Sequence, residues 1–385
     1  MLDTIVLTLA RSYFEIIEPE RFSPSANVLL LPPHCSVGSR GKFTCVQNPT
    51  RADLQVGRYL PRLTLVKHIL SNGSVVMLRI EFSAPKLILG NNFDELEPRD
   101  FADALDVLYE SLIDMGIKVS SDVLRKAPVS AIHYSKNIAL RNYTTCSMVM
   151  SELDRIDLTR RLDLSHTDYR NGGQAIRYHA NSFEITFYDK LKDMEQARYT
   201  EKRGMEWHYG AQLDTFRREV LPKELEVLRM EVRLGARAKI KSLLPQIGVN
   251  AELTFESLFD GRIAQAVLWH FWSHIRSRLP MMDMTQRPED VLATLATASN
   301  GKIGPGKLLQ QLGSIMLIRS IGLRGAGAAL GRYCSPRSWQ RYKRDLKALP
   351  SADGMGFSAL KQVDEALARF EPLRIKSFYS AAKVE

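Results

Sequence analysis

Apolar residues recur along this chain with two periods, and the change from one to the other divides it. Up to about residue 240 the prevailing period is two, that of a strand with one buried face. Val76, Leu78, Ile80 and Phe82 line one side of Val75–Ser83, with Arg79 and Glu81 opposite. Leu228, Met230, Val232 and Leu234 oppose Arg229, Glu231 and Arg233 in the same way. Ile5–Ala10, Val129–Ser135, Gln174–His179 and Phe183–Lys190 complete the predicted strands, with His179-Ala-Asn-Ser182 as a hairpin loop. One strong helix interrupts them: Phe101, Leu105, Leu108, Leu112 and Met115 follow helical spacing, with Asp100 as N-cap and Gly116 as stop.

From about Leu243 the period becomes helical. Ala251–Leu279, Arg287–Ala298, Lys307–Leu330 and Pro336–Leu349 read as helices, and Asn300-Gly-Lys-Ile-Gly-Pro-Gly306 as a loop. Strand runs with inserted helices predict an α+β fold, an antiparallel sheet with flanking helices over residues 1–242. An all-helical domain over 243–385 completes the two-domain expectation.

Length and composition agree with this: 385 residues, 45% hydrophobic and 25% charged, suit two ordinary globular domains. Charge adds more. A net +10 calls for an anionic partner, of which nucleic acid is the commonest and a membrane surface the alternative. The four cysteines (Cys35, Cys45, Cys146, Cys334) form no CxxC pair or metal-ligand spacing and read as reduced thiols of a cytoplasmic protein. Met1–Ala10 carries an acid where a signal peptide needs a cation, and reads better as an edge or core strand. No apolar run approaches the roughly 18 residues of a membrane span.

The candidate chemistry lies on the polar strand faces. In Phe183–Lys190, Ile185 and Phe187 point one way while Glu184, Thr186, Tyr188 and Lys190 point the other. A phenol is a poor nucleophile at its ordinary pKa of about 10. An adjacent ammonium, with a divalent cation, favours the phenolate and binds phosphate charge. Were these strands neighbours, Glu81, His133, Tyr188, Lys190 and Glu231 would share a patch whose oxygens and imidazole suit Mg²⁺ or Mn²⁺. The plainer alternatives stand beside this: a sheet tyrosine with a solvated lysine, glutamates paired with neighbouring arginines, and a satisfied sheet histidine. Tyr199 is a further tyrosine with nothing beside it to activate it.

In the last predicted helix Ser335 is a good N-cap and Pro336 suits the first position. Trp339, Tyr342, Leu346 and Leu349 form its apolar stripe. Arg337, Arg341 and Arg344 lie opposite, with Lys343 and Lys347 flanking, a solvated basic face or the reading helix of a helix-turn-helix. Two motifs are decoys. Gly301-Lys-Ile-Gly-Pro-Gly-Lys307 has Leu308 in place of the Mg²⁺-binding hydroxyl, no preceding strand, and a proline that removes an amide donor. His270 and His274, one helical turn apart, lack the glutamate of a zinc protease.

Ser83-Ala-Pro-Lys-Leu-Ile-Leu-Gly-Asn-Asn-Phe93, after a strand ending Ile80-Glu-Phe82, resembles the S-x-P-K…G-x-N segment of the gene II/X replication initiators of filamentous phages and related plasmids. The early strand, the tyrosine with a lysine two residues on, Leu228-Arg-Met-Glu-Val-Arg233 and Ser338-Trp-Gln-Arg-Tyr342 occur in that family's order, so the resemblance covers nearly the whole chain. It implies an HUH-endonuclease-like domain that starts rolling-circle replication in a bacterial cytoplasm. Such a protein nicks a double-strand origin by tyrosine attack, keeps the 5′-phosphate and later rejoins the displaced strand. By position Tyr188 becomes the nucleophile and Lys190 its charge partner, with His133, Glu231 and Glu81 as metal ligands for Mg²⁺ or Mn²⁺. Arg337, Arg341, Lys343 and Arg344 become DNA contacts. Origin DNA, host helicase and replicative polymerase are the implied partners, with no membrane and no small-molecule substrate. Ile132-His-Tyr134 departs from the HUH pattern in having one histidine where the motif has two.

Overall fold

A computed structural model describes residues 1–27, 42–50, 53, 58–70, 73–154, 156, 162–168, 174–201, 226–276, 287–300, 302–347 and 359–374. Its strands are β1 (Leu2–Ala10), β2 (Glu15–Ile16), β3 (Lys42–Gln47), β4 (Arg62–Leu70), β5 (Gly73–Ser83), β6 (Ile117–Lys118), β7 (Val129–Ala139), β8 (Asp163–Asp168), β9 (Gln174–Ala180), β10 (Phe183–Asp189) and β11 (Val227–Leu234). Nine of them form one sheet in the order β3-β4-β5-β1-β7-β11-β10-β9-β8, and each neighbouring pair is antiparallel. β2 and β6 form a separate pair. The helices, in chain order, are α1 (Ala84–Leu89), α2 (Phe101–Asp114), α3 (Ser121–Arg125), α4 (Cys146–Asp154), α5 (Lys190–Glu201), α6 (Arg237–Gln246), α7 (Phe255–Leu258), α8 (Gly261–Arg276), α9 (Pro288–Ser299), α10 (Pro305–Leu330), α11 (Pro336–Lys347) and α12 (Ala359–Arg369). The antiparallel α+β reading therefore holds.

Each strand predicted from alternation is present, some of them longer than expected. β1 lies between β5 and β7, with Ile5, Leu7 and Leu9 buried to 1% or less, which makes it a core strand and accounts for its nearly unbroken apolar run. The β9–β10 hairpin closes through Asn181 and Ser182, with Ala180 opposite Phe183. β3, β4 and β8 are additional strands that alternation did not mark.

One boundary needs correction. The strand of Tyr188 ends at Asp189, and Lys190 opens α5. Asp189 is the cause: its Oδ1 accepts the Lys192 amide hydrogen at 3.0 Å, the bond of an N-cap, and turns the chain into a helix. The described part of the predicted helix Ala251–Leu279, up to residue 276, likewise holds two helices. Thr254 caps α7 through the Ser257 amide (3.4 Å), and Asp260 caps α8 through the Arg262 amide (2.7 Å). Asp100 precedes α2 as expected, but its carboxylate accepts the Glu97 amide (2.7 Å) within a preceding 3-10 turn. Gly116 stops that region at φ +76°, where an added Cβ would meet Glu18 Cβ at 2.7 Å.

The apolar sheet face is covered by helices. Phe187 meets Trp272 of α8 with centroids 6.0 Å apart, Tyr178 donates to Leu153 O of α4 (2.8 Å), and Tyr134 donates to Leu258 O of α7 (2.9 Å). Trp272 Nε1 donates to Asp364 of α12 at 2.6 Å. Leu243, Leu244, Trp272, Val363 and Leu367 thus share one core with the strands, so the core runs across residue 243. Farther along, Val291, Leu295 and Ile315 of α9 and α10 form a separate small cluster, and α10 kinks at Gly322. No helix among the described residues is long and apolar enough to cross a membrane.

Candidate active site

The polar sheet face carries the candidate chemistry, and register fixes its layout. Tyr188 on β10 is opposite Arg229 on β11, and Arg229 is opposite Asn137 on β7. Glu231 pairs with Thr186 and Ser135, while Arg233 pairs with Glu184 and His133. Tyr188 and His133 are therefore both diagonal neighbours of Glu231, within reach of long side chains. The Tyr188 hydroxyl donates a long hydrogen bond to Glu231 Oε2 (3.4 Å), and His133 Nδ1 lies 3.4 Å from Glu231 Oε1.

Glu81 lies elsewhere, opposite Val6 on β1 and Arg62 on β4, two strands from His133. The acid that joins His133 and Glu231 is Asp3, and one donor atom from each of the three falls within 4.8 Å of the others. A register shift between Leu2 and Ile5 explains its presence. Without that bulge Asp3 would share the apolar face with Ile5; with it, Asp3 meets Arg229 across the polar face. A second grouping, Cys146 with Asp189 and Glu226, also falls within 4.8 Å, and burial pushes its thiol up.

Lys190 does not stand beside Tyr188 as a strand residue would. It is fully buried, with Nζ donating to Asn92 Oδ1 (2.7 Å), 3.6 Å from Asp193 and 5.9 Å from the Tyr188 ring centroid. Burial lowers its pKa to about 8, assisted by Arg229, against the pull of Asp193 and Asp3. The cation beside the phenol is Arg229, 2% exposed. Its Nη2 pairs with Asp3 (3.0 Å) and its Nη1 donates to Asn92 O (2.6 Å), while Nε is a buried donor without a partner.

Burial dominates the electrostatics. It pushes the Tyr188 phenol well above its ordinary pKa; Arg229 works the other way, while Glu231, Asp193 and Asp3 add to the rise. The expected phenolate-favouring ammonium is thus replaced by a protonated phenol that donates to a carboxylate. Burial also opposes ionisation of Glu231, but the His133 hydrogen bond and the Arg233 and Arg229 charges outweigh it and hold the carboxyl well below its usual range. Arg233 Nε donates to Glu231 Oε1 at 2.7 Å.

The segment Ser83–Phe93 supports this site. Ser83 Oγ donates to Asp3 (3.4 Å), α1 ends at left-handed Gly90, and Asn91 accepts the Phe93 and Asp94 amides (2.9 and 2.8 Å). That turn delivers Asn92 to Lys190 and Arg229. Just beyond, buried Glu95 accepts from Lys136 Nζ (2.5 Å), the Asn137 amide (2.6 Å) and the Leu373 amide (2.8 Å). Asp3, Asn92, Glu95, Lys136 and Asn137 are the members that sequence reasoning missed, and Arg229 appeared there only as a partner for Glu231. Asp3 had a signal, as the acid interrupting an apolar strand.

The C-terminal candidates stand apart. Arg337 and Arg341 are exposed on α11, which Ser335 caps through the Ser338 amide (3.2 Å); Trp339 and Tyr342 stack with centroids 5.5 Å apart. The side chains of Lys343, Arg344 and Tyr199, and residue Cys35, lie outside the described residues.

No family model and no curated protein matches the chain. Among solved structures it is similar at a low level to the di-domain ARO/CYC StfQ from the steffimycin biosynthetic pathway, with 12% identity over 62% of this chain and 77% of that one. The TM-score of 0.18 is too low to bear on fold or function.

Proposed function

We propose that this chain initiates rolling-circle replication by nicking and rejoining DNA, with Tyr188 as nucleophile on an HUH-like sheet. The observation that carries the reading is the Tyr188 hydroxyl in contact with Glu231, at the edge of the Asp3–His133–Glu231 set and opposite Arg229. Two carboxylates and an imidazole fit Mg²⁺ or Mn²⁺ in donor type. Ligands on such an ion stand at most about 4.2 Å apart, and the 3.4 Å between His133 Nδ1 and Glu231 Oε1 lies within that span. A bound divalent cation would supply charge to offset that developing on the phosphate.

The chain's own residues account for the rest. Glu231 orients the phenol by accepting its hydrogen bond, but held in its ionised form it is a weak base. The Tyr188 oxygen attacks phosphorus, the bond to the 3′ oxygen breaks, and a tyrosyl 5′-phosphodiester forms. The phenolic proton ends on the departing 3′ oxygen, and the reverse reaction rejoins the strand without ATP. Arg229 presents a buried positive charge and a free Nε donor that a phosphate oxygen would satisfy. The exposed Arg337 and Arg341, with Lys343 and Arg344 on the same helix, are assigned to the double-strand origin.

A second reading, a non-catalytic origin-binding regulator, draws support from the raised Tyr188 phenol and from Glu231 being already held by Arg233 and His133. Supercoiled replicon DNA incubated with the protein and Mg²⁺ or Mn²⁺ separates the two. The initiator gives a unique metal-dependent nick whose 5′ end is linked to the Tyr188 peptide. Specific binding without cleavage under either metal favours the regulator, and nicking retained by Tyr188→Phe removes Tyr188 as nucleophile.

A further inference from the structure

The loop between β7 and α4 holds two consecutive non-glycine residues in left-handed backbone, Asn142 (φ 54°) and Tyr143 (φ 59°). Such a conformation is uncommon for a bulky residue and persists only where its surroundings enforce it. The enforcement here is visible. Gln362 of α12 accepts the Arg141 amide (2.8 Å) and donates back to Arg141 O (3.1 Å) and Thr144 Oγ1 (2.7 Å). The Thr144 amide closes the turn onto Arg141 O (3.1 Å), and the Leu140 amide is tied to Glu226 O (2.9 Å). Thr144 is buried beneath, so both ends of the loop are fixed.

This clamp displays the Tyr143 side chain to solvent: the residue is 92% exposed, with exposed Arg141 two positions before it. Packing gains nothing from a ring so placed, so the strain has no return within the fold. Its location gives it one. Asn137 stands opposite Arg229, which stands opposite Tyr188, and β7 ends at Ala139 opposite Val227. The loop therefore leaves the sheet at the end where Tyr188 lies, on the side of α4 and α12, so a strand rounding that end of the sheet from Tyr188 would meet it.

We propose that Tyr143 is a stacking platform for an unpaired nucleobase of the strand engaged at Tyr188, with Arg141 contacting the adjoining phosphate. The assignment rests on the reading that this chain acts on DNA. A fixed aromatic ring binds a base face whatever its sequence, and fixing it beforehand removes the ordering cost of binding. A strand anchored at this end of the sheet as well as at Tyr188 is restrained for attack.

The test uses the full chain and a single-stranded origin oligonucleotide carrying 2-aminopurine, whose fluorescence falls on stacking. Tyr143→Gly should weaken binding by about 5- to 150-fold and relieve the quenching. The same variant should melt about 1–4 °C higher, since glycine accepts the left-handed backbone without strain. Tyr143→Trp should restore affinity and quenching. The salt slope should stay constant in both variants and fall by about 0.7 in Arg141→Ala. Wild-type binding that Tyr143→Gly leaves unchanged overturns the platform while the DNA reading stands. Absence of binding by the wild-type chain overturns the DNA reading, and the platform with it.

Discussion

The sheet centre and the helical segment from α9 to α11 carry charge in opposite ways. Around the sheet centre, Arg229 and Glu231 of β11, Lys136 of β7, Lys190 at the start of α5 and Glu95 in a turn are buried, and each is met by named partners: Asp3, Arg233, Asn92 and Asn137 among them. On α11, Arg337 and Arg341 are exposed, and the apolar cluster beneath the segment is small. Buried charges have their ionisation set by neighbours, so changing one disturbs stability and chemistry together. Exposed cations act on a polyanion through its counterions. The two regions therefore call for different measurements.

The largest effect should come from the smallest chemical change. Tyr188→Phe is expected to lower nicking by about 10⁴-fold or more, while denaturant unfolding shows a loss below about 1 kcal/mol. A large stability loss would mean that the hydroxyl serves the sheet and not the chemistry. Next, Arg229→Met leaves Asp3 buried without its cation and should cost about 3–5 kcal/mol, against about ±0.5 kcal/mol for Arg337→Ala. Equal costs in urea unfolding would erase the contrast between the regions.

Lys190 gives a pH signature in the alkaline range. Its folded pKa, about 8, lies below its ordinary 10.5, so between those values the unfolded chain binds more protons and stability rises with pH. The cost of burying the charge is present in full below pH 8 and fades above it. Lys190→Met should remove a rise on the order of 3 kcal/mol from the stability profile between pH 8 and 10.5. Identical slopes in the two proteins would place the Lys190 ammonium in water. The smallest change in stability belongs to Arg337→Ala with Arg341→Ala. This pair should leave unfolding unaltered and lower the salt dependence of duplex-origin binding by about 2 in log–log slope. An unchanged slope would return those arginines to a solvated face.

How far the sequence reaches follows from which interactions have a period. Alternation found Val75–Ser83 and Leu228–Leu234, and it put Tyr188 and Glu231 on polar faces; His133, whose strand face it shares with Val129, Ala131 and Ser135, joins them through the sheet register. It could not show Asp3 on that face, because a bulge between Leu2 and Ile5 breaks the alternation it relies on. It carried Lys190 one residue too far along the strand, because the capping carboxylate of Asp189 outweighs pattern. Asn92 and Glu95 sit in a turn with no period at all, and only the Ser83–Phe93 resemblance drew attention to their neighbourhood. Glu81 had the right alternation on a strand two places removed, a distance set by strand order.

Glu95 has a consequence for how the molecule assembles. It joins Lys136 on β7 to Leu373, which lies 278 residues after Glu95, while Asp3 reaches 226 residues to Arg229. Contacts of that span bear a large loop-closure entropy and form late, after the local hairpins and helices. During synthesis the sheet edges can pair while Asp3 still waits for β11, and the Asn91–Glu97 turn waits longer, for the stretch after α12. The chemistry-bearing centre would be the last part of this protein to mature, which keeps the proposed nicking site incomplete until almost all of the described chain is in place.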